Sequence, residues 1–197
     1  MSDAKRTGSV FIVSAPSGCG KTTIVSAVVK KISGLKRSVS ATTRRPRSGE
    51  KNGRDYYFIS EKSFRMKAEK GDFIEWANNF GSYYGTPKKP LTAVLRAGHD
   101  VILTIDVKGA AQVKKRMPGS VMVFILPPGR GDLEKRLGMR GSDAKKEMRK
   151  RLNIAKKEMA YAKRYDYVIV NDILTEAVEQ LRAVIIAKRC ETKRNVR

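Results

Sequence analysis

Residues 14–23 read Ser14-Ala15-Pro16-Ser17-Gly18-Cys19-Gly20-Lys21-Thr22-Thr23, and they decide the fold. On one side stands the apolar run SVFIVS (Ser9–Ser14), the pattern of a buried strand. On the other, KTTIVSAVVKKIS carries apolar residues at the spacing of a helix packed on a sheet. Strand, glycine-rich loop and helix form the setting in which G-x-x-x-x-G-K-[ST] cradles phosphates. Gly18 and Gly20 let backbone N–H groups converge on phosphate oxygens. Lys21 reaches the outer phosphates, and the Thr22 hydroxyl is placed to hold Mg²⁺. The helix N-terminus adds its partial positive charge. Ala15 occupies the place of the pattern's first glycine, and its methyl group is tolerated if the residue keeps a negative φ. Cys19 reads as a filler at a variable position, although a thiol at a helix N-terminus can acquire a lowered pKa.

Outward from this loop the chain alternates short apolar runs with helical patterns. LKRSVSATT reads as extended, YYFIS as a strand, EKSFRMKAEKG as a helix ended by Gly71, and DFIEWANNFGSYYGT as aromatic-rich and strand-like. VILTID (Val101–Asp106), VMVFILPP (Val121–Pro128) and YVIVND (Tyr167–Asp172) are further buried-strand candidates. VKGAAQVKKRM reads as a helix between the first two, and a C-terminal helix closes the chain. This alternation predicts an α/β fold: a three-layer core with a parallel sheet between helices, ligands gathering at the carboxyl ends of the strands. Segments from about Ser40 to Thr92 and from about Arg130 to Arg151 break the rhythm and read as insertions, and the last residues, CETKRNVR, as a fraying end.

The 197 residues suit one domain, and 41% hydrophobic residues suffice for a core. No run approaches the roughly 18 apolar residues of a membrane span, and MSDAKRTGS lacks the apolar segment of a signal peptide. Two distant cysteines, Cys19 and Cys190, fit a reducing cytoplasm rather than a disulfide framework. His99 is the only histidine, which nearly excludes a histidine triad or a multi-histidine metal site. The 42 Lys and Arg against 19 Asp and Glu leave a net charge of +23, spread along the chain. That charge fits a generally basic surface, and it also fits attraction of polyanions, nucleic acid included.

The receiving end of the chemistry is best sought in TTRRPRSGEKNGRDYYF (Thr42–Phe58). Arg44, Arg47 and Arg54 share this turn-rich stretch with Glu50 and Tyr56. Such a run suits a solvated surface, but arginine forks match phosphate oxygens and tyrosine hydroxyls complete the clamp. With the first loop, it suggests a second anion site.

The whole pattern resembles the guanylate kinase family, over nearly the full chain. SAPSGCGKTT looks like the family's ATP loop, with Ala15 a variant accepted in bacterial-type members. SVSATTRRPRSGEKNGRDYYF looks like its GMP signature and GDFIEWANNFGSYYGT like its guanine pocket. RLGMRGSDAKKEMRKRL looks like its lid and VIVND like its last core strand. The resemblance implies a P-loop core of residues 1–39, 97–129 and 152–197, a strand-rich GMP-binding insert at 40–96 and a helical lid at 130–151. Together they make one domain over about 8–188. It implies phosphorylation of GMP by ATP with Mg²⁺, in purine nucleotide metabolism, with dGMP as a further acceptor.

The implied ATP contacts are Ala15, Pro16, Ser17, Gly18, Cys19, Gly20, Lys21, Thr22, Thr23 and Asn171, this last residue otherwise a turn cap. Arg44, Arg47, Tyr56 and Tyr84 are implied at the GMP phosphate, with Glu50 beside them. Ser40, Glu75 and Thr86 are implied at the guanine. Guanine presents N1–H and an N2 amino group side by side, both donors, and a carboxylate at Glu75 accepts both. Without the resemblance, Glu75 between Ile74 and Trp76 reads as an exposed strand carboxylate. Lys21, Arg44 and lid residues Arg136, Arg140 and Arg151 are implied in catalysis. The lid helix is also plainly amphipathic, with Met148, Leu152, Ala155 and Met159 on one stripe.

One position departs from the family. Thr104 stands where an acidic residue is usual, two residues before Asp106, which is left to organise Mg²⁺ through water or to orient the clamp. Alternation places residues 104 and 106 on the same side of a strand. The departure predicts a raised KM for GMP. It also leaves room for a related kinase with another acceptor, such as a sugar phosphate. A phosphopeptide-binding scaffold would be expected to carry a damaged phosphate loop and further domains.

Overall fold

The structure, a computed structural model, describes residues 7–79, 81–129, 131–132 and 145–192, and the side chains of residues 145–151 fall outside that description. Five strands form a sheet in the order β2-β7-β1-β8-β9, and four form a smaller mixed sheet in the order β4-β3-β6-β5. Contacts divide the chain into two compact units.

One unit comprises Phe11–Ser33, Thr104–Val107 and Val121–Arg197. Its strands β1 (Val10–Ser14), β8 (Val121–Leu126) and β9 (Tyr167–Val170) pair in parallel. Every residue of β1 is buried, which explains why it reads as a continuous apolar run rather than an alternating one. Helix α1 (Lys21–Lys31) turns Ile24, Val25 and Val28 inward. It packs against α6 (Leu174–Arg189), which buries Ala177, Val178, Leu181 and Ile185. A Lys31–Glu179 ion pair at 2.7 Å joins the two helices at the surface. Helix α5 (Lys145–Met159) leads through a 3₁₀ turn (Ala160–Arg164) to β9. Val107, Phe124 and Ala162 form a core there with Met159 and Tyr165 against it.

Two strand expectations need correction. Tyr167–Asp172 is not a buried strand: β9 is the last strand of its sheet, and only Ile169 is buried while Tyr167, Val168 and Val170 are nearly half exposed. Apolarity alone does not reveal a strand with a neighbour on one side only. Nor does the strand at Val101–Asp106 reach Asp106: β7 runs Asp100–Thr104. The alternation argument therefore does not relate residues 104 and 106, since Ile105 and Asp106 lie past the pleated segment.

The other unit comprises residues 1–10, Gly34–Leu103 and Lys108–Ser120. It takes in the 40–96 segment together with β2 (Leu35–Arg37), which pairs in parallel with β7, and α4 (Val107–Arg116). The smaller sheet lies here: β3 (Ala41–Thr42), β4 (Tyr57–Phe58), β5 (Phe73–Asn79) and β6 (Ser82–Pro87), with β5 and β6 antiparallel. Helix α2 (Glu61–Glu69) starts at Ser60, whose hydroxyl accepts from Ser63 N, and ends before Gly71 at φ 67°. Phe64 on α2 stacks on Phe73 at 4.5 Å and on Tyr83 at 5.4 Å. Gly85 makes this packing feasible, because a Cβ there would sit 3.1 Å from both the Phe64 and Phe73 rings. Helix α3 (Lys88–Arg96) follows β6 directly and tolerates Pro90 because the N–H that proline lacks would fall in the first turn, where it has no intrahelical acceptor.

Candidate active site

In the first unit the loop from Ala15 to Gly20 joins β1 to α1. Gly18 and Gly20 take φ of 90° and 81°, the left-handed region that glycine enters freely. Gly20 caps α1 with no side-chain hydrogen bond. No side chain of the cap thus occupies the first-turn N–H groups, as an anion site requires. Ala15 and Cys19 are buried, whereas Thr22 and Thr23 at the start of α1 are exposed. Ser14 Oγ donates to Ile105 O at 2.8 Å, and Lys21 Nζ reaches the same carbonyl at 3.5 Å. Burial lowers the Lys21 pKa from its ordinary value, and Glu158 and Asp106 partly offset that.

Two interactions of this site escape sequence reasoning, which names Asn171 as an ATP contact without its hold on the loop. Asn171 is buried and directs its side-chain amide at the loop, Nδ2 donating to Cys19 O at 2.8 Å. A Cβ on Gly20 would lie 2.5 Å from that Nδ2, so glycine is required there by conformation and by contact. Glu158, on α5, is the other. Burial pushes its carboxyl up to about 7, with the Asp106 charge adding to the rise and Lys21 opposing it. Its position three residues after buried Ala155, and so on the same helical face, was the available signal.

In the second unit Glu75 and Thr86 stand opposite each other on β5 and β6. Both are buried, and Thr86 Oγ1 donates to Glu75 Oε1 at 2.6 Å. The exposed-carboxylate reading of Glu75 is therefore corrected. The β5 alternation turns Phe73, Glu75 and Ala77 inward and leaves Trp76 out, the reverse of what side-chain polarity suggests. Burying a carboxylate is costly without hydrogen bonds, and Thr86 supplies one of them.

Beside this pair an arginine–tyrosine cluster takes shape. Arg44 Nη2 donates to Glu50 Oε1 at 2.8 Å, and its guanidinium lies 5.5 Å from the centre of the Tyr56 ring. Glu50 Oε2 accepts from Arg47 N at 2.7 Å. The Arg44 hydrogen bond holds the Glu50 carboxyl below its ordinary pKa and raises that of Arg44, with Tyr84 contributing to the latter. The Tyr56 and Tyr84 rings meet edge to face at 6.1 Å. Burial raises the Tyr56 pKa, opposed by the Arg37 and Arg44 charges. Ser40 closes the strand end, its carbonyl accepting from Tyr57 N. Arg54 is committed elsewhere, to Asp55 and the carbonyl of Gly49. The Arg47 side chain is exposed. Arg136 and Arg140 lie outside the described residues, as does the side chain of Arg151.

A parallel α/β sheet whose strand β1 runs into a glycine-rich loop and helix defines a P-loop protein, and its other unit carries an arginine–tyrosine cluster. The guanylate kinase family model matches residues 7–188. A guanylate kinase of Caldanaerobacter subterraneus subsp. tengcongensis is 44% identical over 191 residues, 97% of this chain and 93% of the relative. One of Carboxydothermus hydrogenoformans is 48% identical over 187 residues, 95% and 92% of the two chains. The crystal structure of guanylate kinase from Anaplasma phagocytophilum superposes with a TM-score of 0.81 at 33% identity, covering 96% of this chain and 90% of that one. The chain belongs to the guanylate kinase family.

Proposed function

We propose that the protein transfers the γ-phosphoryl group of ATP to the phosphate of GMP, giving ADP and GDP. A GMP phosphate oxygen forms the new P–O bond as the bond from the γ-phosphorus to the β,γ-bridging oxygen breaks. Such a transfer needs alignment and charge neutralisation more than covalent help from the protein. Residues Ala15 to Thr23 hold the ATP phosphates, Lys21 meets charge on the outer ones, and Asn171 braces the loop and lies toward the adenine. On the acceptor side Arg44, Arg47, Tyr56 and Tyr84 hold the GMP phosphate. Glu50 serves by holding Arg44 in place, since its own carboxylate would repel a phosphate.

The buried Glu75–Thr86 pair carries the reading. Glu75 accepts from guanine N1–H and N2 amino groups, with Ser40 at the base and the Thr86 hydroxyl turning its hydrogen from Glu75 to O6. Adenine would bring an unprotonated N1 against the carboxylate, a mismatch that gives roughly 10⁴-fold rejection. These contacts read base and phosphate, so dGMP is also accepted. The hydroxyl of Thr22 and the carboxylate of Asp106 are hard oxygen donors that suit Mg²⁺. Among the described residues no group of three or more His, Cys, Asp or Glu forms a protein cage, which fits an ion held largely by ATP phosphates and water. When bound, Mg²⁺ would neutralise phosphate charge. Arg136, Arg140 and Arg151 of the 130–151 lid join at the moving phosphoryl and exclude water. A cytoplasmic location fits two cysteines that form no disulfide, and no helix among the described residues is long and apolar enough to cross a membrane.

Glu75→Gln tests the reading. Loss of one charge-assisted hydrogen bond, worth about 1.5–3 kcal/mol, should lower kcat/KM for GMP about 10- to 100-fold. The KM for ATP should stay unchanged and the preference for GMP over IMP should shrink. Unaltered base preference would contradict the role of Glu75.

A further inference from the structure

Arg37 has no place in the mechanism above, and its surroundings are unusual. It is the last residue of β2, at the carboxyl end of a strand in the parallel sheet, where such folds gather ligands. Its Nη2 donates to Asp55 O at 3.2 Å, on the loop that carries Tyr56. Its Nε is buried and has no hydrogen-bond partner among the described residues. The guanidinium forms no ion pair among the described residues. Asp55, the nearest acid on that loop, accepts instead from Lys51 N and Arg54 Nε, both at 2.9 Å. The Arg37 charge reaches the Asp55 carboxylate without a direct ion pair, but a buried guanidinium N–H left without an acceptor is costly unless an anion comes to it.

We propose that Arg37 is a further positioning residue for the acceptor: it holds the 51–56 loop through the Asp55 carbonyl, setting Tyr56, and presents its charge and Nε–H to the acceptor's phosphate. The inference rests on GMP being the acceptor. Two observations made for other reasons agree with it. The Arg37 charge acts on the Tyr56 hydroxyl in the same sense as that of Arg44, so both guanidiniums bear on one phenol. The second is that Ser40, expected at the guanine, lies only three residues further along the chain.

The test is steady-state kinetics of Arg37→Met, Arg37→Gln and Arg37→Lys, with guanosine as a competitive inhibitor against GMP. Guanosine has the base and sugar but no phosphate. Arg37→Met and Arg37→Gln should raise the KM for GMP about tenfold, the size of one charge-assisted contact. The KM for ATP and inhibition by guanosine should stay within about twofold. Arg37→Lys, which keeps the charge, should recover most of the loss. A GMP KM unchanged in Arg37→Met, or equal weakening of GMP and guanosine, would overturn the proposal. GMP turnover by the unsubstituted enzyme is the control. Without it the acceptor reading fails, whereas turnover with an unchanged KM in Arg37→Met removes only Arg37.

Discussion

Thr104 stands where the family resemblance leads one to expect an acidic residue. It ends β7 half-buried, with a hydroxyl in place of the expected carboxylate. Thr104→Asp should therefore lower the KM for GMP several-fold with little change in that for ATP. GMP kinetics identical to those of the parent would show that the carboxylate is dispensable here. Legibility at this scale was uneven for a physical reason. The arginines and tyrosines of 44–56 declare themselves because their forks and hydroxyls suit one ligand class. Glu75 does not, because alternation says that residues 73, 75 and 77 share a face but not which face is buried. Arg37 is silent in the sequence altogether, since its partner Asp55 lies 18 residues away.

Among the elements, the phosphate loop was the most legible, since its glycines, lysine and threonine have a fixed spacing. What supports it from β9 and α5 was not, because those contacts span most of the chain. Gly20→Ala tests the loop's support. A non-glycine residue at φ 81°, pressed against Asn171, should cost about 1–3 kcal/mol of stability and weaken ATP binding. Denaturant unfolding and nucleotide titration measure both. Glu158 on α5 offers a pH test. Its carboxyl sits at about 7 against an ordinary 4.5, so the folded form holds the proton more tightly than the unfolded chain. The stabilising contribution is present below about pH 4.5 and is lost as pH rises through about 7. Glu158→Gln lacks this dependence. In nucleotide-free protein, its Tm minus that of the parent should become more positive between pH 5 and pH 8. A constant difference would mean that Glu158 is not buried as described.

Over the whole molecule the parallel α/β class was legible, because continuous apolar runs mark buried parallel strands. The exposed edge at β9 and the early end of β7 were not, since apolarity carries no information on how many neighbours a strand has. The +23 charge belongs to this scale as well. A charge of this size attracts anions in general, and salt screens that attraction. One unit carries the loop proposed to hold ATP and the other the cluster proposed to hold GMP. The most direct measurement is ADP release with ATP and Mg²⁺ against GMP, dGMP, AMP, IMP and a ribose bisphosphate in separate wells. The account predicts strong turnover with GMP and dGMP, weak turnover with IMP and none with AMP. Strong turnover with the ribose bisphosphate or AMP and none with GMP would contradict it.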